Sequence, residues 1–129
     1  MTAPSLYVRV GGSDAVRALV ASFYAIMAKT EPVLARLHPV DEAGAVMPDS
    51  QNRFADFLIG WLGGPQDYIA VHGHPRLRMR HARVRVDEEM RDAWVRCMVT
   101  ALEERGLEAG LRAELGRAFY EVADFLRNR

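Results

Sequence analysis

Apolar residues recur at intervals of three and four along most of the chain. Val16, Leu19, Val20, Phe23, Tyr24 and Met27 step by 3, 1, 3, 1 and 3, which places them on one face of an amphipathic helix. Phe54, Phe57, Leu58, Trp61 and Leu62 repeat the pattern in a helix predicted from about Asp49. Gly63-Gly64-Pro65 ends it, as glycine followed by proline ends a helix. A shorter piece opens at Glu31-Pro32, carries Val33, Leu34 and Leu37, and stops at Pro39. Residues 40–48 read as loop. Asp87 caps a further helix, with Glu88 and Glu89 in its first turn where carboxylates suit the macrodipole. Its apolar face holds Ala93, Trp94, Cys97, Met98, Ala101 and Leu102. A last helix is predicted from about Leu107 to Leu126, burying Leu111, Leu115, Ala118, Phe119, Val122 and Leu126. Residues 1–12 read as a short, weakly structured lead. It breaks at Gly11-Gly12, and Ser13 or Asp14 can cap the first long helix.

Residues 66–86 resist this reading. Leu77, Met79, His81, Val84 and Val86 alternate with arginines, which mimics a strand. No second strand pairs with it, and a lone strand leaves its backbone groups without partners. The segment is therefore predicted as a short helix over 76–82 and an extended connector over 83–86. The expected fold class is all-α, a single domain over residues 1–129.

Composition narrows the function. Seventeen basic residues balance seventeen acidic ones, so there is no global attraction to nucleic acid or to an anionic membrane. No apolar stretch approaches the roughly 20 residues of a membrane span. The N-terminus lacks a charged region followed by an apolar run, so a signal peptide is not expected. The expected setting is the cytoplasm. A single cysteine, Cys97, excludes an internal disulfide and reads as a buried thiol.

Three features carry candidate chemistry. The histidines are His38, His72, His74 and His81. A zinc site needs three or four ligands, and these spacings offer few. Haem iron needs one axial histidine and an apolar slot, a role His81 can fill. Without Cys-x-x-Cys-His any haem is held non-covalently. The second feature is a pair of aromatic groups with polar tips, Tyr24 and Trp94, on apolar faces; a buried indole N–H needs an acceptor. The third is Arg76, Arg78, Arg80, Arg83 and Arg85 with no acid among them. They read as a solvated rim or as partners for carboxylates, and the lack of interleaved aromatics argues against nucleic acid. From the residues alone, a haem protein, a zinc site and a non-haem all-α interaction module with an arginine-rich rim all stay open.

Several segments together resemble the truncated haemoglobins of the second group. They are Gly11-Gly12, Phe23-Tyr24, Trp61-Leu62-Gly63-Gly64-Pro65, the block from Gly73 to Ala82 around His74-Pro75 and His81, and Arg91 to Met98 around Trp94. The resemblance covers about residues 7–125, and its specific part runs from His74 to Trp94. It implies a shortened globin, a two-over-two helical sandwich around haem b. It implies His81 as the proximal iron ligand, Tyr24 and Trp94 on the distal side, and His38 facing the ligand. Ser50 falls near the distal-helix position where ordinary globins carry histidine, and the loop from Val40 to Asp49 is longer than the family leads one to expect. Haem packing would further involve Phe54, Phe57, Leu58, Leu77, Val86 and Met98, with Arg53 or Arg80 as a propionate partner.

In that setting the His81 Nδ1–H is expected to donate to the Leu77 carbonyl, orienting the ring on a five-coordinate iron. The expected small ligands are O2, CO, NO or peroxide. Donors from Tyr24, Trp94 and His38 are each worth about 1 kcal/mol. As about 1.4 kcal/mol is tenfold in rate, two of them slow oxygen release by roughly 10²-fold. Such release fits oxygen transport poorly. It suits conversion of nitric oxide to nitrate or reduction of peroxide, served by an unidentified reductase. Either a monomer or a homodimer agrees with the sequence.

Overall fold

A computed structural model of the chain describes residues 4–129. Among the described residues eight helices come in order: α1 (Leu6–Val10), α2 (Ser13–Thr30), α3 (Pro32–Ala35), α4 (Pro48–Trp61), α5 (Asp67–His72), α6 (Leu77–Arg80), α7 (Glu88–Glu104) and α8 (Ala109–Phe125). Among the described residues there is no strand, only an isolated antiparallel bridge between Val40 and Val46. No helix among them is long and apolar enough to cross a membrane.

The four long helices stack in two pairs. α2 packs on α4, α7 packs on α8, and α2 also crosses α7. This is the two-over-two sandwich, and its core is made by the faces read from the sequence. Phe23, Met27, Met98, Ala101, Leu115 and Phe119 are almost wholly buried between the pairs. Asp87 caps α7 by accepting from the Met90 N–H at 2.9 Å. Glu108 caps α8, which starts two residues later than the apolar stripe suggests.

The N-terminal lead is more ordered than its sequence suggests; its first three residues lie outside the described ones. Ser5 caps α1, and Gly11 ends it with φ of 119°. The Tyr7 N–H donates to the Leu62 carbonyl at 2.9 Å, and the Tyr7 hydroxyl pairs with the Ser13 hydroxyl at 2.7 Å. α1 thereby lies across the end of α4. A Cβ on Gly64 would sit 2.6 Å from the Tyr7 ring and 2.9 Å from the Ile59 carbonyl oxygen, so only glycine fits there. The helix α5 is not visible in the apolar pattern; its single buried residue is Tyr68. Gly12, not Ser13 or Asp14, is the N-cap of α2, because the Ser13 hydroxyl is engaged by Tyr7.

Candidate functional site

Between α4, α6 and α7, with walls from α2 and α8, lies a cavity of about 530 Å³. This is the size of a cofactor pocket, about 300–1,000 Å³. A second groove of about 590 Å³ runs between α7 and α8 past Val95, Val99 and Tyr120 and contains no histidine. The first is the chemical site, because the polar groups converge there.

His81 enters this cavity from the end of α6. Its ring is fixed by the turn that carries it: Nδ1–H donates to the Leu77 carbonyl at 2.7 Å, four residues back. The backbone there has the same geometry, with the His81 N–H on the Leu77 carbonyl at 3.1 Å. A neutral ring so held keeps Nε2 bare, the form that ligates a metal. No group of three His, Cys, Asp or Glu side chains converges among the described residues. The donor set therefore suits a group that needs one histidine.

His38 lines the same cavity with the same tie. Its Nδ1–H is shared between the carbonyls of Leu34 and Ala35, each at 3.2 Å. The expected N–H donor is thus spent on the backbone, and neutral His38 offers the cavity a bare Nε2, an acceptor. Burial keeps it neutral by lowering its pKa below the ordinary 6.5; the two backbone carbonyls oppose this, and His81 reinforces it.

Tyr24 and Trp94 line the same cavity. Neither the phenol nor the indole N–H is hydrogen-bonded to another described residue, and neither is sealed from the cavity. A core tyrosine would bond a backbone carbonyl; this one does not. Burial raises its pKa well above the ordinary 10, with Arg53 pulling weakly the other way, so it stays a protonated donor. The rings are packed edge to face: Tyr24 to His38 at 5.5 Å, Phe23 to Trp94 at 5.1 Å, Phe54 to Trp94 at 6.2 Å.

Phe54, Phe57, Leu58, Leu77 and Val86 line the walls, with Ser50 beside them. Met98 does not. It is fully buried in the main core, one turn beyond Trp94 on the same helix face and outside the cavity lining. Arg53 and Arg80 reach the lining, and neither forms an ion pair among the described residues, whereas Arg91 is held by Asp92 and Asp124. Sequence reasoning missed Trp61, Tyr68, Val84, Phe119 and Leu126 in the lining. Trp61 and Phe119 have rings 5.2 Å apart; both sit on stripes already assigned to the core.

The residues present fit a haem. There is one bare imidazole nitrogen, an apolar and aromatic slot, two unpaired guanidinium groups for carboxylates, and two unspent donors. Comparison with known proteins points the same way. A model of the bacterial-like globins matches residues 5–128. The chain is 36% identical over 101 residues to the group 2 truncated haemoglobin YjbI of Bacillus subtilis strain 168, covering 78% of this chain and 72% of that one. The cold-adapted truncated haemoglobin of the Antarctic bacterium Pseudoalteromonas haloplanktis TAC125 superposes with a TM-score of 0.89 at 34% identity, covering 98% and 99% of the two chains. A truncated haemoglobin of Bacillus subtilis described as oxygen-avid superposes at 0.85 with 32% identity, covering 97% and 100%.

Proposed function

Since the chain belongs to the bacterial-like globins, as a group II truncated haemoglobin that binds haem and small diatomic ligands, we propose that it holds haem b through His81 and releases oxygen slowly. The observation that carries this is the pair of unspent donors, Tyr24 Oη–H and Trp94 Nε1–H, facing the cavity that His81 enters. When bound, haem would supply an iron that takes a small diatomic ligand, and His81 is the residue that would hold it. The chain supplies the rest. His81, with its tautomer fixed, would hold the iron. Tyr24 and Trp94 would donate to a ligand that gathers negative charge. Arg53 and Arg80, in the lining and without ion pairs among the described residues, would take the propionates. The oxygen-avid relative supports the reading.

Each donor is worth about 1 kcal/mol or somewhat more toward a charged partner, so Tyr24→Phe or Trp94→Phe should speed oxygen release by about tenfold and the pair by roughly 10²-fold. Stopped-flow release measured on the three variants tests this; unchanged rates would remove the distal assignment. Slow release suits oxygen-dependent conversion of nitric oxide or reduction of peroxide better than bulk transport. The bare Nε2 of His38 favours the peroxide branch, because a neutral imidazole can take the proton of an incoming peroxide and return it. The reaction would be served by a reductase in the cytoplasm. Arg76, Arg78, Arg80 and Arg83 are exposed and without ion pairs among the described residues, so an acidic electron donor suits this rim.

A further inference from the structure

The connector beyond His81 poses a backbone problem. Residues 81–84 turn and bend where the sequence predicts an extended connector over 83–86, and 85–86 follow in no helix and with no strand beside them among the described residues; unpaired peptide groups are costly beside an apolar cavity. Asn128, just beyond the end of α8, takes the place of a strand. Its Nδ2 donates to the Val84 carbonyl at 2.8 Å. Its Oδ1 accepts from the Val86 N–H at 2.9 Å. Its own main-chain N–H donates to the Val86 carbonyl at 2.8 Å. Both peptide groups at Val86 are thus paired by one residue. A longer contact, 3.4 Å, runs from the same Nδ2 to the carbonyl of His81 itself. The short planar amide offers a donor and an acceptor on one fork.

The place of this clamp gives it a role. Val84 and Val86 form the cavity wall next to His81. The helix that carries His81 is a single turn with no buried residue, so packing does not hold it. Its ring is aimed by the Leu77 carbonyl, but the backbone beneath that bond needs an anchor. Turn bonds lead from α6 through Val84, whose N–H donates to the His81 carbonyl at 3.0 Å, into the segment Asn128 grips. The clamp therefore ties the proximal histidine to α8, a member of one of the two rigid helix pairs.

We propose that Asn128 is a positioning residue for His81: by gripping Val84 and Val86 it sets the height and tilt of the imidazole, and with them the strength of its bond to iron. This rests on the haem reading above. The test uses the haem-loaded full chain. Asn128→Ala removes the fork. Asn128→Asp keeps the acceptor for Val86 but sets a carboxylate oxygen against the Val84 carbonyl. Arg127→Ala is the control, since Arg127 also tethers this end, to Glu88 and Asp124, without touching the connector. Resonance Raman spectra should show a shifted or broadened iron–histidine stretch in both Asn128 variants. Transfer of haem to a scavenger apoprotein should run about tenfold faster. In haem-free protein the Val86 amide should exchange faster, with helix content unchanged. Arg127→Ala should leave all three as in wild type. Asn128 variants with a wild-type stretch and wild-type haem loss would overturn the proposal while leaving the haem reading intact. A wild type that takes up no stoichiometric haem would overturn both.

Discussion

His38 and His81 show how one local device yields two roles. Each ring is four residues beyond a carbonyl that takes its Nδ1–H, Leu34 for one and Leu77 for the other, so each presents a bare Nε2 to one cavity. Only protonation makes His38 a donor. Burial holds its pKa below 6.5. The unfolded chain therefore binds this proton at a higher pH than the folded one does. The stability owed to the neutral ring is whole above about pH 6.5 and declines as pH falls from there through the folded value. Across the same range protonated His38 gains an N–H toward the cavity. Oxygen release should slow on acidification in wild type and lose that dependence in His38→Phe, as stopped-flow traces at stepped pH would show. Cys97, three residues beyond Trp94 on α7, is buried in the core outside the cavity lining. Burial raises its pKa, with Thr30 opposing weakly, so a disulfide reagent should label it only as fast as the native protein opens. Labelling of the folded protein at the rate of a free thiol would contradict that burial.

At the scale of elements, the two glycine pairs are not independent turns. The first ends α1 and the second lets α1 lie against the end of α4, with Tyr7 touching both. Gly64→Ala should therefore cost about 1–3 kcal/mol by forcing the Tyr7 ring aside, measured as a lower urea midpoint. A Tyr7→Ala, Gly64→Ala double variant should lose less than the sum of the two single losses. These elements also show what a sequence reveals. α2, α4, α7 and α8 are legible because each buries a stripe at helical spacing. So is the bond from His81 to Leu77, because helical backbone fixes that interval. α1 and α5 are not, since each buries one residue and a five- or six-residue helix has no room for a period. Spacing puts Met98 rightly on the buried face of α7, but the haem contact that the family resemblance implies for it is not in the cavity lining. The apolar face of α7 is wide enough to meet two neighbours, and spacing does not say which part of a stripe meets which. Asn128 is invisible, because its partners lie 42 and 44 residues away and are backbone groups.

For the molecule as a whole, charge and packing are distributed unevenly. The chain is neutral, yet Arg53 and Arg80, neither in an ion pair among the described residues, line one cavity, and Arg76, Arg78 and Arg83 are exposed on the segment that carries His81. Arg76→Glu with Arg83→Glu should slow reduction by an acidic donor protein, flatten its dependence on salt, and leave reduction by dithionite unaltered. Packing is just as uneven. Between α2, α7 and α8 the large side chains are sealed, while Phe54, Phe57, Trp61 and Trp94 are only partly covered by the chain where they face the cavity. Those rings make a cofactor into core material. Haem that binds only the folded form adds about 2.7 kcal/mol of stability at about a hundred times its dissociation constant, so calorimetric melting should rise with haem concentration. A cell would feel this as turnover. When haem is scarce, more of the chain opens and is degraded, and the standing amount of the protein becomes a gauge of haem supply with no change in the rate of its synthesis.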